Sequence, residues 1–465
     1  MKLKLSINNS ISALFSVAIL VLTYYSLAFY ALAVLLLIII LYLGKEKFII
    51  PLIIIVFLVL VSDFTESYRN YINGFLILLL CYFFAKNYKN SSNIFGLIPK
   101  EIIYFIMITF FSMLISSVFS KDISYTLLIT SRQMLFFVLV YIFFFFLHEK
   151  NLMIHYINSL LIVGLILGIV ILFEVSTKGI IAFSIQNNAF NQFGGLYSNP
   201  NALGLLLTVI IPLLLGKIFF NQKEKVIFQR LYYTLLAFFF IILFLTNSRA
   251  SIGAVIISIT YITWKIKPKV LKYIAVIFVV LVLIVVSLPV MSNYLSIYFR
   301  VERIFENTRT YIWDMSFEII QNNLWVGVGP ELFGSHIFKH LPVMLGSFEA
   351  HQIWWAKSGT SHNFFLFKFA ETGLLGFFSS IWLFVLFFKT AFTIERITRK
   401  IDSNYFKLTV CISSIGAGLL GRSFLESTGL ISNGWITRDL PFWIAFIILI
   451  QIYTKFSINE INLLK

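Results

Sequence analysis

A chain of 465 residues that is 60% hydrophobic, 18% aromatic and only 12% charged is too apolar for a soluble globular domain and reads as a polytopic membrane protein. Uninterrupted apolar runs such as Leu35 to Leu43 break the in-out alternation of a barrel, so the spans are helices and the fold class is all-α. The net charge of +16 comes from Lys and Arg scattered over many short loops, which excludes a continuous nucleic-acid footprint and leaves topology as their role.

In chain order the apolar segments are Ile11 to Tyr24, Ser26 to Leu43, Phe48 to Val61, Tyr71 to Ala85, Ile102 to Ser120, Met134 to Leu147 and Ile157 to Phe173. Ala202 to Phe220, Leu231 to Leu245, Ile252 to Trp264, Tyr273 to Val290, Asn363 to Phe388, Leu408 to Gly421 and Leu440 to Tyr453 follow. Several fall short of the roughly 17 to 25 residues that a span prefers, so about 12 to 14 transmembrane helices are expected, with one large loop of short helices. With the N-terminus inside, alternating loops place 23 of the 36 Lys and Arg on the cytoplasmic side, which predicts cytoplasmic termini and an external loop from Met291 to Ser361.

The expected organisation is an N-terminal bundle over 1–190, further spans over 191–290, a periplasmic loop over 291–362 and C-terminal spans over 363–465. Cys81 and Cys411 both fall in apolar segments, so neither a disulfide framework nor a metal-ligand spacing is read. Lys2 and Lys4 before an apolar run resemble a signal peptide, but the small-residue tripeptide at Ala31 lies inside the second run. An uncleaved first helix is expected.

Polar groups gather around the long loop. Asn307-Thr308 starts a helix with Ile312, Met315 and Ile319 on one face, Asp314 and Glu318 on another, and Arg309 sharing a face with Trp313. A surface cation-π pair is the plain reading of the last two. Thr246-Asn247-Ser248-Arg249 stands where a span meets the external surface; Arg249 either snorkels or offers a planar fork for phosphoryl oxygens. His362-Asn363 opens a span, as a polar cap or, if His362 faces a cavity, as a general base. Glu371 either pairs with Lys368 three residues earlier or orients a site from within the membrane. Asn199-Pro200-Asn201 is first a helix start, and Gly327-Val328-Gly329-Pro330 lacks the strand-then-helix context of a phosphate loop. His336, His340 and His351 show no metal spacing.

The order of these motifs resembles the O-antigen ligase and polymerase family: Gly195-Leu196-Tyr197-Ser198-Asn199-Pro200-Asn201-Ala202-Leu203-Gly204, Thr246-Asn247-Ser248-Arg249, Arg309-Thr310-Tyr311-Ile312-Trp313, Gly327-Val328-Gly329-Pro330, His362-Asn363 and Glu371-Thr372-Gly373. It covers about residues 190 to 385, and it departs at Leu324, where a proline would be looked for ahead of the Gly-Val-Gly turn.

The resemblance implies an inverting glycosyltransferase of the inner membrane, without cofactor or metal. It would act at the periplasmic face on an undecaprenyl-pyrophosphate-linked oligosaccharide and an acceptor glycan in the lipid bilayer, with a chain-length regulator as a further partner and no nucleic acid. His362, Arg309 and Arg249 would be catalytic, and Asn201, Trp313, Asn363 and Glu371 would bind substrate. Polymerase and ligase differ in acceptor. The external loop holds five cations against six acids, a formal balance of −1, which favours a neutral repeat unit over phosphorylated lipid A-core and so a polymerase. A ligase is the alternative. A flippase is the rival from another class, disfavoured because the polar residues gather on one side and not at the midplane of related halves.

Overall fold

The computed structural model describes residues 84–85, 97–150, 152–179, 192–197, 199–220, 226–273, 308–340 and 359–463. The segments Ile11 to Tyr24, Ser26 to Leu43 and Phe48 to Val61, all but the last two residues of Tyr71 to Ala85, most of Tyr273 to Val290, and Cys81, Ser198, Asn307 and His351 lie outside them. The described chain forms helices α1 Lys100–Val118, α2 Ile123–Lys150, α3 Met153–Lys178, α4 Pro200–Phe220, α5 Val226–Leu245, α6 Arg249–Ile266, α7 Thr308–Asn322, α8 Phe333–His340, α9 Phe364–Ile401, α10 Ser403–Ser423 and α11 Ile436–Leu463. Among these residues there is no strand, and seven helices are long and apolar enough to cross a membrane: α1 to α5, α9 and α11. The protein is an all-α, multi-pass membrane protein.

Successive spans run in opposite directions, so polar ends segregate. One end of the bundle collects Lys217 on Asn158 (2.6 Å), Lys265 on Glu395 (2.9 Å), Lys389 on Glu101 (3.0 Å) and Lys455 on Tyr405 (2.6 Å). The other end carries Asn201, Arg249, His362, Arg422 and the segment 424–435.

Helix α10 is the axle. It is too rich in Ser and Gly to read as a strong span, and those small residues let its neighbours approach closely. A methyl on Gly418 would meet the Ala254 carbonyl oxygen of α6 at 2.5 Å, and Ser258 Oγ donates to Ser414 O at 2.8 Å. At its C-terminal end α10 delivers Arg422 into the interior, 2% exposed.

Helix α9 departs from the sequence reading. The expected single span from Asn363 is broken at Gly373, whose φ of 66° and ψ of −164° no L-residue adopts easily. Phe369 stacks on Phe377 at 4.9 Å and Phe365 packs on Phe384 at 6.0 Å. Residues 365 and 384 would stand about 28 Å apart in a straight helix, so the chain folds back on itself. Residues 364–372 form an arm that leans against the crossing helix 374–401.

Reversal strips the arm's last turn of its helical partners, and the Gly-Val-Gly turn supplies replacements. Val328 N donates to Ala370 O (3.0 Å), Gly329 N to Glu371 O (2.9 Å), and Leu374 N to Leu324 O (3.0 Å). Leu324 acts here through its carbonyl, so the absent proline leaves the turn able to dock. Gly327 is required for the approach: a methyl there would meet Glu371 C at 2.5 Å and Gly373 N at 2.6 Å. Ile312, Met315, Ile319, Val328, Phe333 and Ile337 then bury against Phe367 and Ala370 of the arm in a small second core. Ile312, Met315 and Ile319 face inward and Asp314 and Glu318 outward, as the periodicity predicts.

Candidate functional site

Three distant segments meet on one carboxylate, Glu426, in the turn between α10 and α11. Arg309 Nη2 from the first turn of α7 donates to Glu426 Oε1 at 3.1 Å, and Asn201 Nδ2 from the first turn of α4 donates to the same oxygen at 3.2 Å. His362 Nδ1 lies 3.3 Å from Oε2. Burial alone would raise Glu426, but His362, Arg422 and Arg309 together overcome it and hold the carboxyl down at about 2. The carboxylate is therefore ionised and faces a cationic surplus.

The frame around it explains the placement. His362 takes a left-handed backbone, φ 51°, directly before Asn363, a conformation that costs free energy and clusters at functional sites. Asn363 caps the arm, accepting from Phe365 N (3.0 Å) and Leu366 N (3.1 Å). Its own N–H donates to Ser427 Oγ at 3.0 Å, fixing His362 against the Glu426 turn. Trp313 forms no ring contact with Arg309; its indole N–H donates to Ser361 O at 3.0 Å and ties α7 to the residue before His362. Arg422 secures the far side, donating to Thr428 O (2.7 Å), Asn201 O (3.2 Å) and Ser251 Oγ (3.4 Å).

Arg249 is half-buried at the first residue of α6. Its neighbour Ser248 donates to Ser251 (2.9 Å), which touches Arg422, so the backbone at Arg249 stands at the same end of the bundle as the cluster. Asn199 and Pro200 start α4 as the sequence predicts, Asn201 N reaching Asn199 Oδ1 at 2.9 Å.

Glu371 is fully buried and belongs to a second network. It pairs with Lys368 at 3.7 Å, accepts from Asn433 Nδ2 (3.1 Å to Oε2) and takes the Glu331 N–H at 2.6 Å. Arg132 closes that network on Glu331 Oε2 (2.6 Å) and Asn433 O (2.6 Å). Its partners hold the docked turn and the arm together, and none of these contacts joins Glu371 to the Glu426 cluster. His336 Nδ1 is engaged by Leu332 O at 3.0 Å. Among the described residues no three His, Cys, Asp or Glu come together as a metal-ligand set.

An O-antigen ligase family model matches residues 234–381, about a third of the chain. Over that stretch the chain is similar to the O-antigen ligase and polymerase family. The matched stretch carries Arg249, Arg309, His362 and the reversal at Gly373, and it ends before Arg422 and Glu426. Among curated proteins none matches the chain. Sequence reasoning missed Glu426, Arg422 and Asn433, because they lie beyond the motif-bearing region. Four ionisable residues, Arg422, Glu426, Arg438 and Asp439, between two apolar spans were the available signal.

Proposed function

We propose that this protein is a surface-polysaccharide polymerase of the inner membrane, transferring an undecaprenyl-pyrophosphate-linked glycan to a hydroxyl of an acceptor repeat unit at the periplasmic face. The observation that carries the reading is the meeting of Arg309 and His362 on Glu426 at 3.1 and 3.3 Å. A planar cation and a carboxylate-oriented imidazole are the two groups that displacement of a pyrophosphate by a sugar hydroxyl calls for. His362, held through Nδ1, takes the acceptor proton on Nε2 as the hydroxyl oxygen bonds to the anomeric carbon. The bond from that carbon to the pyrophosphate oxygen breaks, and undecaprenyl pyrophosphate departs with the electron pair. Arg309, with Arg249 and Arg422 nearby, neutralises the departing charge, and attack opposite the leaving group inverts the anomeric centre.

Orientation is supported by the Lys-rich opposite end of the bundle, which the positive-inside rule assigns to the cytoplasm. The acceptor assignment rests on the near-neutral external loop. It is tested in a deletion strain of an outer-membrane bacterium: loss of a polymerase leaves core capped by single repeat units, because a separate ligase still transfers them. Bare core with long chains stranded on undecaprenyl pyrophosphate would assign a ligase and retain the chemistry. His362→Ala is expected to reproduce the deletion pattern, and an unchanged ladder in that strain would remove the proposed base.

A further inference from the structure

We propose that Glu426 is a resident counter-ion that the donor displaces: Arg309 passes from Glu426 Oε1 to a phosphoryl oxygen, while Oε2 stays on His362 and stabilises the imidazolium that forms there. The inference rests on the glycosyl-transfer reading above and extends it to the order of events.

The two oxygens of Glu426 serve different groups. Oε1 accepts from Arg309 and Asn201, whereas Oε2 faces His362. The two arginines nearest the carboxylate also differ. Arg422 is buried in the bundle with three of its nitrogens committed to Thr428, Asn201 and Ser251. Arg309 sits on α7, outside the spans, its side chain 16% exposed, and one 3.1 Å bond joins it to Glu426. Of the two, Arg309 is the one built to change partner.

A doubly charged pyrophosphate outcompetes a single carboxylate for a guanidinium fork. Once Arg309 has moved, Glu426 keeps His362 and Asn201 as its direct contacts, so its negative charge is spent on the imidazole. The donor thereby strengthens the base that the acceptor will need. No group is oxidised or reduced, and the proton taken at Nε2 leaves Nδ1–H on Oε2. Glu426 touches neither sugar in this scheme and is a positioning residue.

The test uses the full chain purified in detergent, undecaprenyl pyrophosphate as the binding probe, and lipid-linked repeat units extracted from the deletion strain as substrate. Glu426→Gln removes the competing charge and keeps the shape, so the Kd for undecaprenyl pyrophosphate should fall about tenfold. Its kcat should fall at least about tenfold, because the imidazolium loses its counter-ion. A general loss of structure would lower kcat too but would raise the Kd, so the tightening is what separates the two. In an Arg309→Gln background the tightening should vanish. Should Glu426→Gln not fold, Glu426→Asp reads the same split: one methylene shorter, it keeps the charge and so the Kd, but withdraws from His362 and lowers kcat. A weakened Kd in Glu426→Gln, an equal tightening without Arg309, or equal losses in Kd and kcat in Glu426→Asp would overturn the exchange. If His362→Ala transfers glycan normally, the glycosyl-transfer reading fails, whereas the Kd comparison still judges the exchange.

Discussion

Replacing Gly373 by alanine separates a folded-back arm from a straight helix by the sign of the effect. In an uninterrupted helix, alanine for glycine would stabilise by about 0.5 to 1 kcal/mol. At φ 66°, ψ −164° an L-residue instead costs about 1 to 3 kcal/mol in backbone strain. The added methyl also meets Trp325 C at 2.5 Å and Val326 N at 2.7 Å, backbone atoms that yield only if the 324–331 turn lifts away. Lifting it breaks the three bonds made by Val328, Gly329 and Leu374, at about 1 kcal/mol each. The total is about 4 to 6 kcal/mol, and at about 2 °C per kcal/mol the apparent thermal midpoint in detergent should drop by roughly 8 to 12 °C. Fluorescence-detected size exclusion after heating reads this on small amounts of protein. An unchanged or raised midpoint in Gly373→Ala would refute the reversal and everything that places Arg309 and His362 on one carboxylate through it.

Arg309→Lys and Arg249→Lys keep charge but lose the fork, so each should reduce long-chain glycan at least about tenfold; normal lengths from both, at native expression, would end the case for pyrophosphate binding there. Glu426 has its folded pKa depressed to about 2, below an ordinary value of about 4.3. Its stabilising contribution is therefore complete above pH of about 4.3 and lost as pH falls towards 2. The thermal midpoint of the wild type should fall between those limits more steeply than that of Glu426→Gln, and parallel curves would contradict an ionised, paired Glu426. The Arg132–Glu331 pair is 23% and 27% exposed, so Glu331→Gln should cost about 1 kcal/mol or less. Asn433→Leu strips a fully buried Glu371 of a partner and should cost about 3 kcal/mol; the opposite ranking, measured by thermal midpoints, would displace Glu371 from the frame.

How much was legible in advance follows from where information lies in a chain like this. Caps are local, so Asn199-Pro200 and Asn363 were readable as helix starts, and the inward stripe of Ile312, Met315 and Ile319 was written in a 3.6-residue period. His362 and Arg309 stood out because polar groups beside a bilayer need a reason. The reversal at Gly373 was hidden, since a glycine within an apolar run looks the same whether the helix continues or turns back. What distinguishes the two is a partner 46 residues earlier: Gly327 must be small for the carbonyls released at Ala370 and Glu371 to find Val328 and Gly329. Glu371 and Gly373 are therefore parts of the reversal, and the Glu426 cluster lies at the other end of the arm. Glu426 was missed for a related reason: its meaning comes from Asn201, Arg309 and His362 converging on it, a tertiary fact with no local periodicity to announce it. A carboxylate whose partners lie 64, 117 and 225 residues away along the chain is thus overlooked by motif reading, and mutation of any one of those partners tests it.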